Sequence, residues 1–490
     1  MATSILELGN LLRQRQISPV DLTRHCLAQI EKLNGELNAF ITVTADAALA
    51  QAHQAEAEIR QGQWRGPLHG IPLALKDLID TAGVRTTAAS GVFAHRIPSA
   101  DAEVVRRLKK AGAVLLGKQN LHEFAYGGSS LVSYYGPVRN PWDPACMAGG
   151  SSGGSAASVA AGLCCGAIGT DTAGSVREPA ALCGVVGLKP TYGRVSCRGI
   201  IPLAWSFDHV GPIARTVSDA AVILQAIAGP DPDDPNCASN PVPDYLAPAL
   251  SADVLDALCG PKLFYKTSSL RETPKAITIG VPRNVFYDDL DPEVAAAVNQ
   301  AVSVLEKFAA SVVEIDLPVP IDRTLQSAES YAYHAEFVAR SPELYQSETL
   351  RRIRTGEAIR AQEVEKSRRE LKTARQEIAS VFQNVDFLAT PTTPIPAPAI
   401  AELTQNPELL RPRELLLLRN TRPVNVWGLP AISVPCGFTA AGLPIGLQII
   451  GAHWAEAQVL QLAAAYERET GWHTRQPKIR ADAAPEKPSI

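Results

Sequence analysis

The chain has 490 residues, 46% of them apolar and 20% charged, with 46 basic and 50 acidic side chains and a formal net charge of −4. That composition supplies a large globular core, and the length fits two or three domains or one large α/β unit. There is no basic excess for direct nucleic-acid binding, although a partner subunit could bring one, and the nine cysteines are scattered without a C-x-x-C pair.

The cysteines therefore read as free thiols packed in the core, in a reducing compartment, and not as a disulfide framework or a zinc site. Met1 to Asn10 has no basic stretch followed by an apolar run, so no secretory signal is expected. Residues 155–169 are too few and too rich in Ala and Gly to span a bilayer easily, and read as a buried helix. A soluble, cytoplasmic chain without a membrane partner is the expectation.

Residues 1–65 read as helical. Ser18-Pro19 ahead of Val20, Leu22, Leu27 and Ile30 is an N-cap, a proline at the first helical position and an apolar face. A second, Ala- and Gln-rich helix covers 45–60. Gly66-Pro67 precedes a strand at 71–75. A helix over 101–111, with Val104, Val105 and Leu108 on one side, ends on Gly112 and leads to an apolar strand at 113–116. Strand, helix and strand in that order predict an α/β layer architecture.

Residues 229–275 carry Pro, Asp and Asn clusters and read as an irregular surface excursion. Beyond it come a strand at 277–281, a helix over 291–310 and a strand at 312–315. A highly charged helix is expected over 348–382, its charge on a solvated face, then buried strands at 387–389 and 431–434. No internal repeat is evident. The organisation is one domain: a helical segment 1–65, a core 66–228, the excursion 229–275, a continuation 276–475, and a Pro-, Ala- and charge-rich tail 476–490.

The densest signal is Ala148-Gly149-Gly150-Ser151-Ser152-Gly153-Gly154-Ser155. A phosphate cradle would need a Lys-Ser or Lys-Thr closing the glycine run, and Ala156-Ala157 stand there instead. A nucleophile elbow fits Gly149-x-Ser151-x-Gly153, but needs a strand just before the serine and a histidine base. Asn140-Pro141-Trp142-Asp143-Pro144 is turn chemistry, and neither His209 nor His453 has a recognisable setting. A purely structural glycine loop is weakened by a second cluster, Thr170-Asp171-Thr172-Ala173-Gly174-Ser175-Val176-Arg177.

These two clusters, with Leu75-Lys76-Asp77 upstream, resemble the amidase signature family. Residues 187–196 (GLKPTYGRVS), Asp208-His209-Val210-Gly211-Pro212, Pro391-Thr392-Thr393-Pro394 and Gly428-Leu429-Pro430 extend the resemblance over nearly the whole chain. It implies an amidase signature fold, a large mixed β-sheet covered by helices on both faces. It also implies amide hydrolysis by Ser175 as nucleophile, Ser151 as proton relay and Lys76 as base, with Ser151 in a cis peptide. An amide is a poor electrophile and a free serine a weak nucleophile, so a base must take its proton during attack. A lysine can do so when burial keeps it neutral.

The resemblance further implies an oxyanion hole from the backbone N–H groups of Thr172, Ala173, Gly174 and Ser175. Ala173 stands where many relatives have glycine. Ser152, Asp171 and Arg177 are expected to brace the loop. Tyr126, Gly127 and Gly128 match a loop that lines the amide end of the pocket in relatives, with a plain turn as the alternative. Arg375 falls where some relatives hold a substrate carboxylate, with a solvated arginine as the alternative. His122 and Glu123 lack metal-ligand spacing, and neither a metal nor a cofactor is implied.

Two activities fit the family pattern: a stand-alone amidase, and the glutamine-splitting A subunit of the tRNA-dependent amidotransferase, which passes ammonia to a partner acting on charged tRNA. Those subunits tend to carry an acid shortly before the Asn-x-x-Gly-Leu-Pro segment. Residues 415–425 hold none, and Thr421-Arg422-Pro423 looks more like the stand-alone enzymes. The sequence reading therefore favours a stand-alone amidase on a small-molecule amide, without nucleic acid, as a homodimer by general expectation. An inactive binding or scaffold homologue is the reading outside catalysis.

Overall fold

Among the described residues, eleven strands form one mixed sheet. They are β1 (Phe40–Val43), β2 (Pro72–Lys76), β3 (Val114–Gln119), β4 (Gly166–Asp171), β5 (Val186–Lys189), β6 (His209–Ala214), β7 (Thr278–Pro282), β8 (Ser311–Ile315), β9 (Phe387–Pro391), β10 (Ala431–Phe438) and β11 (Pro444–Gly451). The computed structural model describes residues 3–246 and 277–479. Most of the expected excursion, from 247 to 275, and the tail beyond 479 lie outside these residues.

The strand order is β1-β3-β2-β4-β6-β5-β10-β11-β9-β7-β8. β2 runs parallel to β3 and β4, and β7 parallel to β8 and β9. The central strands β4-β6-β5-β10-β11-β9 pair antiparallel. Side chains alternate between the two faces, as the pleat requires. Leu73 and Leu75 of β2, Leu115 of β3 and Ile168 of β4 join one apolar cluster. Ala74, Val114, Leu116 and Ala167, between them, join a second. The second cluster also holds Ala156, Ala157 and Ala160 of the helix Gly153–Ala160, whose small side chains let it lie close on the sheet.

Several local expectations hold. Ser18 caps the helix Pro19–Leu37 by accepting from Val20 and Asp21, with Pro19 at the first helical position. The helix Ala45–Arg60 has the predicted ends. The helix Glu103–Lys110 stops before Gly112, whose φ is +79°.

Three expectations fail, the first being a helical segment 1–65, since Phe40–Val43 within it pairs with β3 as strand β1. The helix predicted over 155–169 ends at Ala160, Gly162 turns with φ +71°, and the chain continues as the buried strand β4. Buried runs of small residues carry no periodicity, so helix and strand look alike in sequence. The long charged helix is three pieces, Ser347–Arg354, Ala361–Glu377 and a 3₁₀ segment Ile378–Gln383. The break includes Gly356, where the backbone of Ser327 leaves no room for a side chain. The strand at the edge, β8, is largely exposed, unlike the buried strands at the sheet's centre.

Candidate active site

The site forms at the C-terminal ends of β2 and β4, where crevices open in sheets of this kind. Lys76 is the last residue of β2 and is fully buried. Its Nζ lies 2.7 Å from Ser151 Oγ and 2.8 Å from Thr170 Oγ1. Burial pulls the Lys76 pKa down to about 7, while Asp171 and Asp208 oppose that fall. Near neutrality, then, a sizeable fraction of the amine is unprotonated and faces a serine hydroxyl.

Ser151 sits on the turn before the helix Gly153–Ala160, and the Gly150–Ser151 peptide is cis. The turn is held from several sides. Glu178 accepts from the Gly150 N–H at 2.7 Å, and the Ser151 carbonyl accepts from Ser130 Oγ and from the His122 N–H. Gly149 has φ +81° and packs against Glu178 and Pro179, so only glycine fits there. Ser152 donates its hydroxyl to the Thr170 carbonyl at 3.1 Å and its N–H to the Ser175 carbonyl at 3.2 Å. Ser152 thus ties the two serine loops to β4.

Ser175 is 3% exposed, and its hydroxyl has no hydrogen-bond partner among the described residues. Its loop is fixed by Asp171 and Arg177, which form a buried two-pronged pair at 3.0 and 2.9 Å. Asn425 and Gln448 extend the pair, taking Arg177 N–H groups at 2.6 Å each. Burial alone would raise Asp171, but the Arg177 guanidinium overrides it and holds the carboxyl well below the usual range. Asp171 and Arg177 thus join the Ser175 loop to the residues Asn425 and Gln448.

The oxyanion expectation needs one correction. The Gly174 N–H donates to Asp171 Oδ1 at 2.8 Å and is already engaged. The N–H groups of Thr172, Ala173 and Ser175 have no partner among the described residues and can meet an oxyanion. Ala173 is accommodated because its φ is negative, and its carbonyl accepts from Thr421 Oγ1 at 2.7 Å. The glycine that the loop does require is Gly174, with φ +132° and Thr421 and Leu418 packed against it.

Arg375 is engaged within the fold. It stacks on Tyr192 at 4.2 Å and donates to the carbonyls of Val426 and Ser206, which is not the solvated setting expected as the alternative. Tyr126 is buried, and its carbonyl accepts from Arg352. Gly127 lies against the His122 ring, and Gly128 against Leu418 and the Glu414 carbonyl. This loop and the 414–422 segment form one wall over the Thr172–Ser175 loop. His209 is buried, with Nδ1 on the Phe207 carbonyl and Nε2 on Lys189, and has no serine partner among the described residues.

Sequence reasoning missed Thr170, Asp208 and Glu414. Thr170 orients the Lys76 amine. Asp208, pushed up to about 7 by burial, accepts from Thr172 Oγ1 at 2.6 Å and from the N–H groups of Leu203 and Ala204. The Asp208-His209 motif was visible but gave no sign of that contact. Glu414 stands immediately before the acid-free stretch 415–425. It is fully buried, 2.7 Å from both Arg352 and Ser129 Oγ. All eight described cysteines are free. No helix of the described residues is long and apolar enough to cross a membrane.

Comparison with known proteins places the chain. The family described as Amidase matches residues 21–460. The A subunit of the glutamyl-tRNA(Gln) amidotransferase of Moorella thermoacetica is 41% identical, over 96% of this chain and 98% of that protein. A solved structure of the corresponding protein from Thermotoga maritima is 33% identical over 95% of each chain, with a TM-score of 0.74. A protein from a vestigial complex tied to the origins of an s-triazine catabolic enzyme is 33% identical, covering 98% of this chain and all of that one, with a TM-score of 0.83.

These relatives overturn the preference for a stand-alone enzyme on a small-molecule amide. They overturn equally the expectation of no nucleic-acid partner, since the full-length relatives are named for a reaction on glutamyl-tRNA. The acid-free stretch 415–425 misled because a motif of one residue type at one position discriminates poorly, and net charge describes this chain alone, not an assembly. The sheet, the two serine loops and the full-length relatives agree that the chain belongs to the amidase family, enzymes acting on amide carbon–nitrogen bonds.

Proposed function

We propose that this chain is the glutamine-hydrolysing A subunit of a tRNA-dependent amidotransferase, working in the cytoplasm with a partner that carries the charged tRNA. Full-length identity of 41% to such a protein is the observation that carries the assignment. The site supplies chemistry suited to it. Ser175 Oγ attacks the side-chain carboxamide of glutamine, and its proton passes to Ser151 as the Ser151 proton moves to the neutral Lys76 amine. The N–H groups of Thr172, Ala173 and Ser175 take the developing oxyanion. The proton returns through Ser151 to the leaving nitrogen, ammonia departs, and water releases glutamate from the Ser175 ester. Asp171 and Arg177 hold the nucleophile loop, and Ser152 and Thr170 hold the relay.

The test is reconstitution. The chain, mixed with the remaining amidotransferase subunits and glutamyl-tRNA(Gln), is expected to support glutamine-dependent formation of glutaminyl-tRNA, and Ser175→Ala to abolish it. Turnover of simple aryl or aliphatic amides, with no glutamine hydrolysis in the assembled complex, would overturn the assignment.

A further inference from the structure

The hydroxyl of Ser151 can relay a proton only while its backbone holds it against the Lys76 amine. That backbone is gripped at its carbonyl, which accepts from the His122 N–H at 3.1 Å and from Ser130 Oγ at 3.3 Å. Ser130 Oγ also accepts from the Gly153 N–H at 3.2 Å, so one side chain spans the turn past Ser151. A methyl group at Gly150 would lie 2.8 Å from Ser130 N and Oγ and 3.0 Å from Ser129 N. Residues 129–130 therefore lie against the relay backbone without slack.

Ser130 has φ +54°, which a serine keeps only where its surroundings fix it. What fixes it starts one residue earlier. Ser129 Oγ donates to Glu414 Oε1 at 2.7 Å and accepts from the Leu131 N–H at 3.3 Å. His122 Nδ1 stands 3.3 Å from the same oxygen. A hydroxyl has one proton and two lone pairs, and Glu414 takes the proton. His122 Nδ1 must then carry its own hydrogen and donate, which satisfies Ser129 completely. Burial, with Arg352 and Arg411 nearby, holds the His122 pKa well below its usual value, so the ring is neutral and has a single N–H.

Glu414 is set from a second direction. Its other oxygen, Oε2, lies 2.7 Å from Arg352 and 3.5 Å from Arg411. A counter-charge for arginines needs only that oxygen; Oε1, turned onto Ser129, links the helices Ser347–Arg354 and Pro407–Leu417 to the relay turn. Glu414, Ser129, Ser130 and His122 are all fully buried, so water does not compete for these bonds.

We propose that Glu414 and Ser129 are positioning residues for the relay: the carboxylate fixes the turn at 129–130, and the turn holds the Ser151 carbonyl so that Ser151 Oγ stays 2.7 Å from Lys76 Nζ. This role presupposes the Ser175–Ser151–Lys76 reaction of the proposed function, whichever amide is the donor.

A fluorophosphonate probe reads the reactivity of Ser175 in the full chain without any amide. Ser129→Ala is expected to lower the limiting labelling rate about tenfold, within the range that a misplaced reacting group costs, and to leave the half-saturating probe concentration within about twofold. In a Ser151→Ala chain, which has no relay hydroxyl, adding Ser129→Ala should change the rate by less than about twofold, whereas a general loosening would slow both backgrounds alike. Glu414→Gln made in the Ser129→Ala chain should also add less than about twofold, because its path to Ser151 is already cut. Ser130→Ala is expected to behave as Ser129→Ala does and decides the matter if circular dichroism shows that Ser129→Ala is not folded. A labelling rate within about twofold of wild type in the folded single variant, or an equal loss with and without Ser151, would overturn the role. Absence of labelling in the wild-type chain would remove the Ser175 reaction and this role with it. Ammonia release from glutamine in the assembled complex decides the donor separately.

Discussion

Replacing Lys76 with methionine removes a buried amine of similar length and should change both activity and the pH dependence of stability. The folded-state pKa of Lys76 is about 7 against an ordinary 10.5, because burial disfavours the charged form. The folded value lies below the unfolded one, so the unfolded chain holds the extra proton between pH 7 and 10.5 and stability rises with pH across that window. Integrating the two titrations, the group subtracts about 5 kcal/mol at pH 6 and about 2 kcal/mol at pH 9. The stability of Lys76→Met relative to wild type should therefore be about 3 kcal/mol more favourable at pH 6 than at pH 9. The lost hydrogen bonds to Ser151 and Thr170 shift both values together and leave this difference in place. Urea unfolding of both chains at the two pH values gives it directly. Activity should fall by roughly 10²–10⁴, the usual contribution of a positioned base. A stability difference that stays constant between pH 6 and pH 9 would refute the buried, low-pKa lysine.

Other consequences can be checked in the same way. The acid limb of the wild-type pH–rate profile should have its midpoint near pH 7, with activity rising as Lys76 loses its proton. Asp208→Asn removes a carboxylate that raises the Lys76 pKa, so this midpoint should move to lower pH; an upward move would contradict the assigned charge coupling. Arg177→Ala leaves Asp171 buried without its counter-ion and should lower unfolding stability by about 3–5 kcal/mol, read by urea denaturation. Arg375→Ala should lower stability by about 1–2 kcal/mol, through the lost stacking on Tyr192, and leave the KM for glutamine unchanged. A raised KM would return Arg375 to the substrate.

The catalytic candidates were legible because their residue types are dictated by local chemistry. A lysine at the end of an apolar strand and serines in glycine-rich turns leave a trace in any single sequence. The contacts that make them work were not legible. Asp208 reaches Thr172 across 36 residues, and Asn425 and Gln448 reach Arg177 across 248 and 271. No spacing rule links such pairs. In the fold, capped helices such as Pro19–Leu37 were predictable from their termini. The buried segment 155–169 was not, since Ala and Gly give no period to separate the helix Gly153–Ala160 from β4. The charged stretch failed for a related reason: its composition is uniform across the break at Gly356, where tertiary contact with Ser327 decides the backbone.

The most direct test is mass spectrometry of the chain quenched during turnover of glutamine in the assembled complex. A glutamyl ester should appear on the peptide carrying Ser175, and should be absent in Ser175→Ala and strongly reduced in Ser151→Ala. An adduct on Ser151, or an unchanged adduct in the Ser175→Ala chain, would contradict Ser175 as the nucleophile and Ser151 as its relay.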